Sequence, residues 1–173
     1  RHKVVILLTA YSNGGMTKSA LRIANLLNPV CPTQIIVANS EPDFSNCPLP
    51  PEGVSVKFLW RLGRNGFLRR LSKIYSSILG LVTFVRKNDI DCIVAFGEEG
   101  AAIALASKWV HKKPIICSLR TSWAAEKENR KKRHFTAYGL YVVLSFFVYR
   151  YCDHVVSVTN EAGSEISDLL RLD

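Results

Sequence analysis

Six short apolar segments, separated by helical or polar stretches, constrain the fold of this chain more than any other feature. The first, Lys3–Thr9, reads KVVILLT and is apolar at successive rather than alternate positions. Such a strand needs both faces covered, as in a parallel sheet between layers of helices. The other segments predicted as strands are Gln34–Ala38, Val54–Trp60, Asp91–Phe96, Pro114–Leu119 and Asp153–Val158.

Helical patterns occupy most of the intervals between these strands. Thr17 is expected to cap a helix that ends at Asn28-Pro29, because proline cannot continue the hydrogen-bond ladder. The other predicted helices are Asn65–Lys87, Glu98–Val110, His134–Tyr151 and Thr159–Leu170, with loops at Asn39–Gly53 and Ser122–Arg133. The alternation predicts an α/β fold: one Rossmann-like three-layer sandwich with a parallel sheet of about six strands, in the order 3-2-1-4-5-6.

Cysteine and histidine spacings argue against several kinds of site. None of the five cysteines forms a Cys-x-x-Cys pair, and Cys92 and Cys117 lie in strand-like runs. They are expected to be buried free thiols in a reducing compartment. No histidine has metal-ligand spacing or a serine or cysteine partner at a motif spacing, so neither a metal site nor a nucleophilic triad is predicted. The longest apolar run, Ala137–Tyr149, is shorter than the ~20 residues that a membrane-spanning helix needs.

The loop after the first strand is the most informative candidate site. Gly14 and Gly15 precede a helix, and bare backbone at a helix N-terminus lets an anion approach closely. The alternative is a tight turn without a ligand. A P-loop would need two glycines that Ser12 and Thr17 replace, and the adjacent pair does not make the G-x-G-x-x-G of dinucleotide-binding folds.

Three stretches of the sequence resemble one family. KVVILLTAYSNGGMTKSALRIANLL resembles the opening of the N-terminal half of a GT-B glycosyltransferase of the GT4 type, where a strand, a Gly-Gly loop and a helix begin the acceptor-side domain. NDIDCIVAFGEEGAAIALASKWVHKKPIICSLRTSW is similar to the fourth and fifth strands of that domain, and YRYCDHVVSVTNEAGSEISDLL to its closing strand and helix. The resemblance covers nearly all of the chain.

The resemblance implies that residues 1–173 form one half of a GT-B fold, the N-terminal domain of a glycosyltransferase. It implies transfer of a sugar from a nucleotide-sugar donor to a glycan or lipid-linked glycan acceptor, with retention of configuration and without a metal ion. This domain would hold no cofactor, because the donor binds a C-terminal domain that 173 residues cannot also contain. We therefore expect the isolated domain to be inactive, and we expect a role in polysaccharide biosynthesis.

The same resemblance suggests residues for the cleft but no catalytic residue. Arg120 stands where many family members have a histidine; a guanidinium can bind phosphate or carboxylate but cannot act as a general base. Its alternative role is a salt bridge to Glu98 or Glu99. These two carboxylates would contact acceptor hydroxyls or, alternatively, stabilise the first turn of their helix. The residues expected at the cleft are Gly14, Gly15, Met16, Glu98, Glu99, Arg120 and Thr121.

The chain carries 23 Lys and Arg against 14 Asp and Glu, a net charge of +9, and the excess is concentrated at Lys57–Lys73 and Lys127–Arg133. Both stretches are expected either to be simply solvated, the first of them as a helix face, or to contact an anionic membrane. The residues predicted for such a surface are Arg64, Arg69, Arg70, Lys73, Arg130, Lys131, Lys132 and Arg133.

The basic excess leaves a second function open. The chain could be a non-catalytic α/β module that recognises a phosphorylated ligand, a membrane surface or a partner protein. The absence of nucleic-acid-binding motifs argues against a nucleic-acid partner. The expected location is the cytoplasm, at the inner face of the membrane.

Overall fold

The computed structural model describes residues 2–38, 47–59, 67–119, 135–157 and 159–170, together with Glu128. Within these residues, six strands alternate with five helices. The strands are β1 (Val4–Leu8), β2 (Thr33–Val37), β3 (Ser55–Phe58), β4 (Cys92–Phe96), β5 (Ile115–Leu119) and β6 (His154–Ser157). The helices are α1 (Gly15–Leu27), α2 (Phe67–Asn88), α3 (Gly97–His111), α4 (Phe135–Tyr151) and α5 (Asn160–Leu170).

The strands form one parallel sheet in the order β3-β2-β1-β4-β5-β6, which confirms the predicted topology. β1 lies at the centre, with Ile6 opposite Ile35 on one side and Val94 on the other. The order reverses between β1 and β4. In sheets of this kind the loops at the carboxyl ends of these two strands form a crevice.

Two apolar clusters show that helices cover both faces of the sheet. On one face, Ile6 and Leu8 pack with Ala20 and Ala24 of α1. On the other face, Val5 and Leu7 belong to a larger cluster that includes Leu81 of α2, Ala104 of α3, Val148 of α4 and Ile166 of α5. The three-layer sandwich is therefore confirmed: of the five described helices, one covers the first face and four cover the second.

The start of α1 differs from the prediction. Thr17 is not the N-cap: the helix begins at Gly15 after an extended Gly14, and the backbone N–H of Lys18 donates to the Gly14 carbonyl (3.2 Å). Thr17 is instead buried in the first turn, where its Oγ1 accepts a hydrogen bond from the Ser12 backbone N–H (3.2 Å). The hydroxyl holds the preceding loop rather than the helix end, because the N-cap is Gly14, three residues before Thr17.

The other predicted elements agree with the structure to within a residue or two wherever their ends are described. Asn28 follows the last residue of α1 and donates its backbone N–H to Ala24, as the Asn-Pro pair predicts. The Ala-rich centre of α3 is buried, as expected. His111 is the last residue of that helix and is buried.

Candidate functional site

Two loops meet at the carboxyl edge of the sheet, at the reversal between β1 and β4. The loop after β1 leads through Gly14 into α1, and Gly97 follows β4 directly as the first residue of α3. Gly97 has a φ of +72°, and a Cβ built there would lie 3.6 Å from Cε of Met16. Met16 therefore packs over the turn after β4, and this contact joins the two loops.

The backbone at the start of α1 is open on its outer side. Gly14 and Gly15 are exposed, and a Cβ built at Gly15 meets no other atom within 4 Å. No side chain caps the helix, and its first turn contains no acidic residue. Helix N-terminal N–H groups that lack a local carboxylate favour an anion, and the missing side chains leave room for one.

Glu98 and Glu99 follow Gly97 in the first turn of α3, where their charge opposes the positive end of the helix dipole. Glu98 has a more specific partner, because the buried Tyr149 of α4 donates its hydroxyl proton to Glu98 Oε1 (2.6 Å). Glu99 is exposed. Glu98 thus links α3 to α4 as well as standing beside the crevice.

Tyr11 is a further residue of this edge that the sequence did not reveal. Its ring is buried against Phe58 in an edge-on contact, and its hydroxyl donates to the Pro48 carbonyl (2.7 Å). The Cys47 thiol donates to the carbonyl of Tyr11 (3.6 Å). Burial raises the pKa of Tyr11, and the nearby Cys47 raises it further. The phenol therefore stays protonated and anchors the loop after β1.

Several predicted site residues lie outside the described residues. Arg120 and Thr121 follow β5 directly in the sequence, and Arg64 and the basic stretch before α4 are likewise not described. Arg69, Arg70 and Lys73 lie in the first two turns of α2, where only the backbone is described. The salt bridge predicted from Arg120 to Glu98 or Glu99 stays a prediction. The residues of this basic stretch that were predicted for the membrane surface, none of them described, are Arg130, Lys131, Lys132 and Arg133.

His111 has a structural role at the end of α3. His111 Nδ1 accepts from the Lys113 backbone N–H, so Nε2 carries the proton and faces Ser107 Oγ (2.9 Å). The Ser107 hydroxyl donates to the Ala104 carbonyl (2.7 Å) and is fully buried, so the pair is not a nucleophile and base. Burial, with Lys108 and Lys113 nearby, lowers the pKa of His111 and keeps it neutral.

All five cysteines are free thiols, as predicted, although only Cys117 is fully buried and Cys92 is half-buried. Cys117 and Cys152 interact through their side chains; this contact and burial raise the pKa of Cys117. Among the described residues, no group of His, Cys, Asp and Glu could hold a metal ion. No helix of that same part is long and apolar enough to cross a membrane.

The fold and this edge define a Rossmann-like domain with its candidate ligand crevice at the switch point of a parallel sheet. The family model described as Glycosyltransferase Family 4 matches residues 13–173. The chain belongs to this glycosyltransferase family. No curated protein sequence shows significant similarity to it.

Solved structures of glycosyltransferases share this fold. Nearly all of this chain superposes on less than half of each of them. Sucrose-phosphate synthase from Thermosynechococcus elongatus superposes with a TM-score of 0.76 at 6% identity, over 98% of this chain and 45% of that one. Anabaena HepE in complex with UDP-glucose superposes with a TM-score of 0.66 at 12% identity, over 97% of this chain and 40% of that one. Acinetobacter baumannii MurG superposes with a TM-score of 0.60 at 12% identity, over 93% of this chain and 42% of that one. The chain thus spans less than half the length of these proteins and has the fold of one GT-B half.

Proposed function

We propose that this chain is the acceptor-side, N-terminal domain of a glycosyltransferase that moves a sugar from a nucleotide-sugar donor to a glycan or lipid-linked glycan acceptor. The observation that carries the proposal is the exposed backbone of Gly14 and Gly15, which lies beside Gly97 at the switch point of the sheet. Family membership supports the transferase chemistry. The solved HepE complex supports a nucleotide-sugar as the class of donor.

In this proposal, the N-terminus of α1 faces the donor phosphates across the cleft. Departure of the nucleoside diphosphate builds negative charge on a phosphate oxygen, and fixed N–H groups stabilise such charge without reorganising. Arg120 would add a guanidinium that binds phosphate bidentately, and Thr121 lies next to it in the sequence. The glycosyl group would be transferred with retention, as the family resemblance implies.

Glu98 and Glu99 are proposed to contact hydroxyls of the acceptor. Tyr149 holds one Glu98 oxygen by a hydrogen bond, which fixes the carboxylate in a single orientation. A carboxylate accepts hydrogen bonds at both of its oxygens, which is the chemistry that binding a sugar hydroxyl requires. Arg120 cannot accept the proton of the acceptor, so we assign no general base to this chain.

The donor site is proposed to lie on a C-terminal domain outside this chain. The free thiols of the described residues support a reducing, cytoplasmic location. The basic stretches at Lys57–Lys73 and Lys127–Arg133 are proposed to contact the inner face of the membrane, which would suit a lipid-linked acceptor in polysaccharide biosynthesis.

Radiolabelled sugar transfer tests the proposal. Residues 1–173 alone are expected to show no turnover with any nucleotide-sugar, whereas the complete protein is expected to transfer sugar from one of them. Turnover by residues 1–173 alone would contradict the division into acceptor and donor domains. A complete protein that transfers no sugar from a full panel of donors would contradict the transferase function and favour a binding module.

A further inference from the structure

A groove between α3 and α4 exposes apolar and aromatic side chains. Its volume is about 900 Å³, and we call it the aromatic groove. Its principal lining residues are Leu105, Trp109 and Lys112 from α3 and its C-cap, and Leu144, Phe147 and Tyr151 from α4. Trp109 is 86% exposed, Tyr151 58% and Phe147 48%, although large apolar side chains in a folded domain are usually buried.

The sequence of α4 explains the exposure. In this helix of 17 residues the described part after Tyr141 contains a single charged residue, Arg150. Ser145, Val148 and Tyr149 face inward and are buried. Val143, Phe146, Phe147 and Tyr151 recur at three- and four-residue steps and are exposed, so they form an apolar stripe on the outer face of the helix. A contiguous apolar patch of this kind marks an interaction surface.

The charges around the aromatic groove are positive. Lys112 lines the groove and is exposed, and Arg150 is an exposed residue of α4, three positions after Phe147 and next to Tyr151 in the sequence. The nearby carboxylate of Asp153 is already neutralised, because both its oxygens accept hydrogen bonds from Lys108 Nζ (2.7 Å each) and one also accepts from the Ile115 backbone N–H (2.7 Å). Apolar and aromatic side chains rimmed by cations match an anionic lipid surface, where Trp and Tyr lie at headgroup level and cations bind phosphate.

The charges disfavour a second copy of the chain as the occupant. In a two-fold dimer the same patch meets itself, which would bring Lys112 and Arg150 of one copy close to their equivalents in the other. Each copy also has a net charge of +9. An anionic bilayer offers apolar burial and opposite charge together, so it satisfies both features of the surface.

We propose that the aromatic groove docks on an anionic lipid bilayer, with Trp109, Phe147 and Tyr151 entering the interface and Lys112 and Arg150 contacting phosphate groups. This assignment does not depend on the transfer reaction. α3 begins at the crevice with Gly97 and Glu98, and Trp109 lies eleven residues further on, about 16 Å along the helix axis.

Sedimentation with vesicles of phosphatidylcholine and phosphatidylglycerol in equal parts tests the proposal. Trp109→Ser with Phe147→Ser is expected to weaken binding about tenfold or more, because two interfacial aromatic side chains are lost. Lys112→Gln with Arg150→Gln is expected to weaken it about thirtyfold, since each cation contributes about 1 kcal/mol near such a surface. Leu26→Ser with Leu49→Ser, which are 75% and 87% exposed, and Lys18→Gln with Arg22→Gln on α1 are the matched controls and should bind normally.

Tryptophan fluorescence locates the contact directly. In a variant with Trp60→Phe and Trp123→Phe, Trp109 is the one remaining tryptophan, and its emission should shift to the blue when anionic vesicles are added. Brominated lipid should quench this emission. All variants are compared after circular dichroism has shown native folding, which is expected because the substituted side chains of the groove are exposed.

Three outcomes would overturn the proposal. One is vesicle binding without any change in Trp109 emission, which would assign membrane contact to another surface such as the basic stretches. A second is equal loss of binding in the groove variants and the controls. The third is a dimer, observed by sedimentation equilibrium without lipid, that Trp109→Ser with Phe147→Ser dissociates, since the groove would then be a protein interface.

Discussion

At the scale of single residues, Gly97 and Gly15 lie at the same edge of the sheet for different reasons. Gly97 needs its glycine because its φ of +72° is costly for any residue with a Cβ. Gly15 has an ordinary helical position and open space around it, so the fold does not require glycine there. What Gly15 provides is unobstructed backbone, which is a functional property in our proposal.

These two glycines make a matched pair for a stability measurement. Gly97→Ala is expected to lower the free energy of unfolding by about 1–2 kcal/mol, because alanine disfavours the left-handed conformation. Gly15→Ala is expected to leave it unchanged or raise it by about 0.5 kcal/mol, since alanine is the better helix former and meets no neighbour. Urea denaturation followed by circular dichroism measures both. A larger loss at Gly15 than at Gly97 would contradict this account of the two turns.

The same Gly15→Ala variant, made in the complete protein and assayed for the proposed sugar transfer, separates function from stability. If donor phosphates approach this backbone, the added methyl group should lower kcat/KM about tenfold or more while the protein stays folded. Unchanged kcat/KM would remove the Gly-Gly loop from the proposed site.

Local sequence revealed some of this site and could not reveal the rest. The Gly14-Gly15 pair is visible because both residues are adjacent and precede a helical pattern. The hydrogen bond between Tyr149 and Glu98 joins residues 51 positions apart, so no spacing rule could predict it. Thr17 was assigned to the wrong role, because a hydroxyl two positions into a helix and one at its N-cap look alike until the conformation of Gly14 is known.

At the scale of elements, α4 combines an exposed apolar face with an unsatisfied polar group on its buried face. Ser145 is fully buried, and its hydroxyl has no hydrogen-bond partner among the described residues. Ser77 of α2 is equally buried, but its hydroxyl donates to the Ala38 carbonyl (3.0 Å). A buried hydroxyl without a partner costs free energy, whereas a bonded one contributes to stability.

Opposite effects are therefore expected for two chemically identical substitutions. Ser145→Ala should raise the free energy of unfolding by about 1 kcal/mol, because it removes an unpaired buried hydroxyl, and Ser77→Ala should lower it by about the same amount. Thermal or urea unfolding of the two variants beside the parent protein gives the comparison. Equal destabilisation by both would show that Ser145 has a partner.

The sequence predicted the positions of the strands and helices better than it predicted which of their faces are exposed. Apolar runs and helical periods are local signals, so strands and helices were predicted nearly in place. The outer face of α4 was not predicted as exposed, because a helix that is apolar nearly all round is usually buried. Only the packing of α3 beside α4 shows which face stays open.

At the scale of the whole molecule, two aspartates tie neighbouring strands together at the edge opposite the crevice. Asp91 precedes β4, and its carboxylate accepts the Lys3 backbone N–H (2.9 Å) while its own N–H donates to the Lys3 carbonyl (2.9 Å). Asp153 precedes β6 and makes the same pair of bonds with Ile115, at 2.7 and 3.0 Å. The repeated arrangement fixes the register of strands that are far apart in sequence.

Both carboxyl groups make the fold sensitive to acid. The Lys3 N–H lowers the pKa of Asp91; at Asp153 burial opposes ionisation, but the bonds from Lys108 and Ile115 prevail and its pKa is also lowered. A lowered folded-state pKa gives stability that is complete above the ordinary value of 3.8 and is lost as the pH falls below it. The difference in unfolding free energy between the parent and Asp91→Asn or Asp153→Asn should be largest near neutral pH and shrink in acid. Asp168→Asn, at an exposed helix position, is the control for the loss of one surface carboxylate.

The sheet order was predictable because crossover connections between parallel strands are right-handed and helices cover both faces. The hydrogen bonds of Asp91 and Asp153 to neighbouring strands were not predictable, since they depend on which strands become neighbours after folding. An acidic residue before an apolar strand looks the same in the sequence whether it bonds a neighbouring strand or faces solvent.

The central position of β1 has a consequence during synthesis. Of the six described strands, β1 leaves the ribosome first, yet its neighbour β4 begins only at Cys92, which pairs with Val4. Synthesis proceeds at roughly 5–20 residues per second, so the side of β1 that pairs with β4 lacks its partner for on the order of ten seconds. β1 is wholly apolar. The nascent chain therefore exposes a template for misassociation before it can close its own sheet.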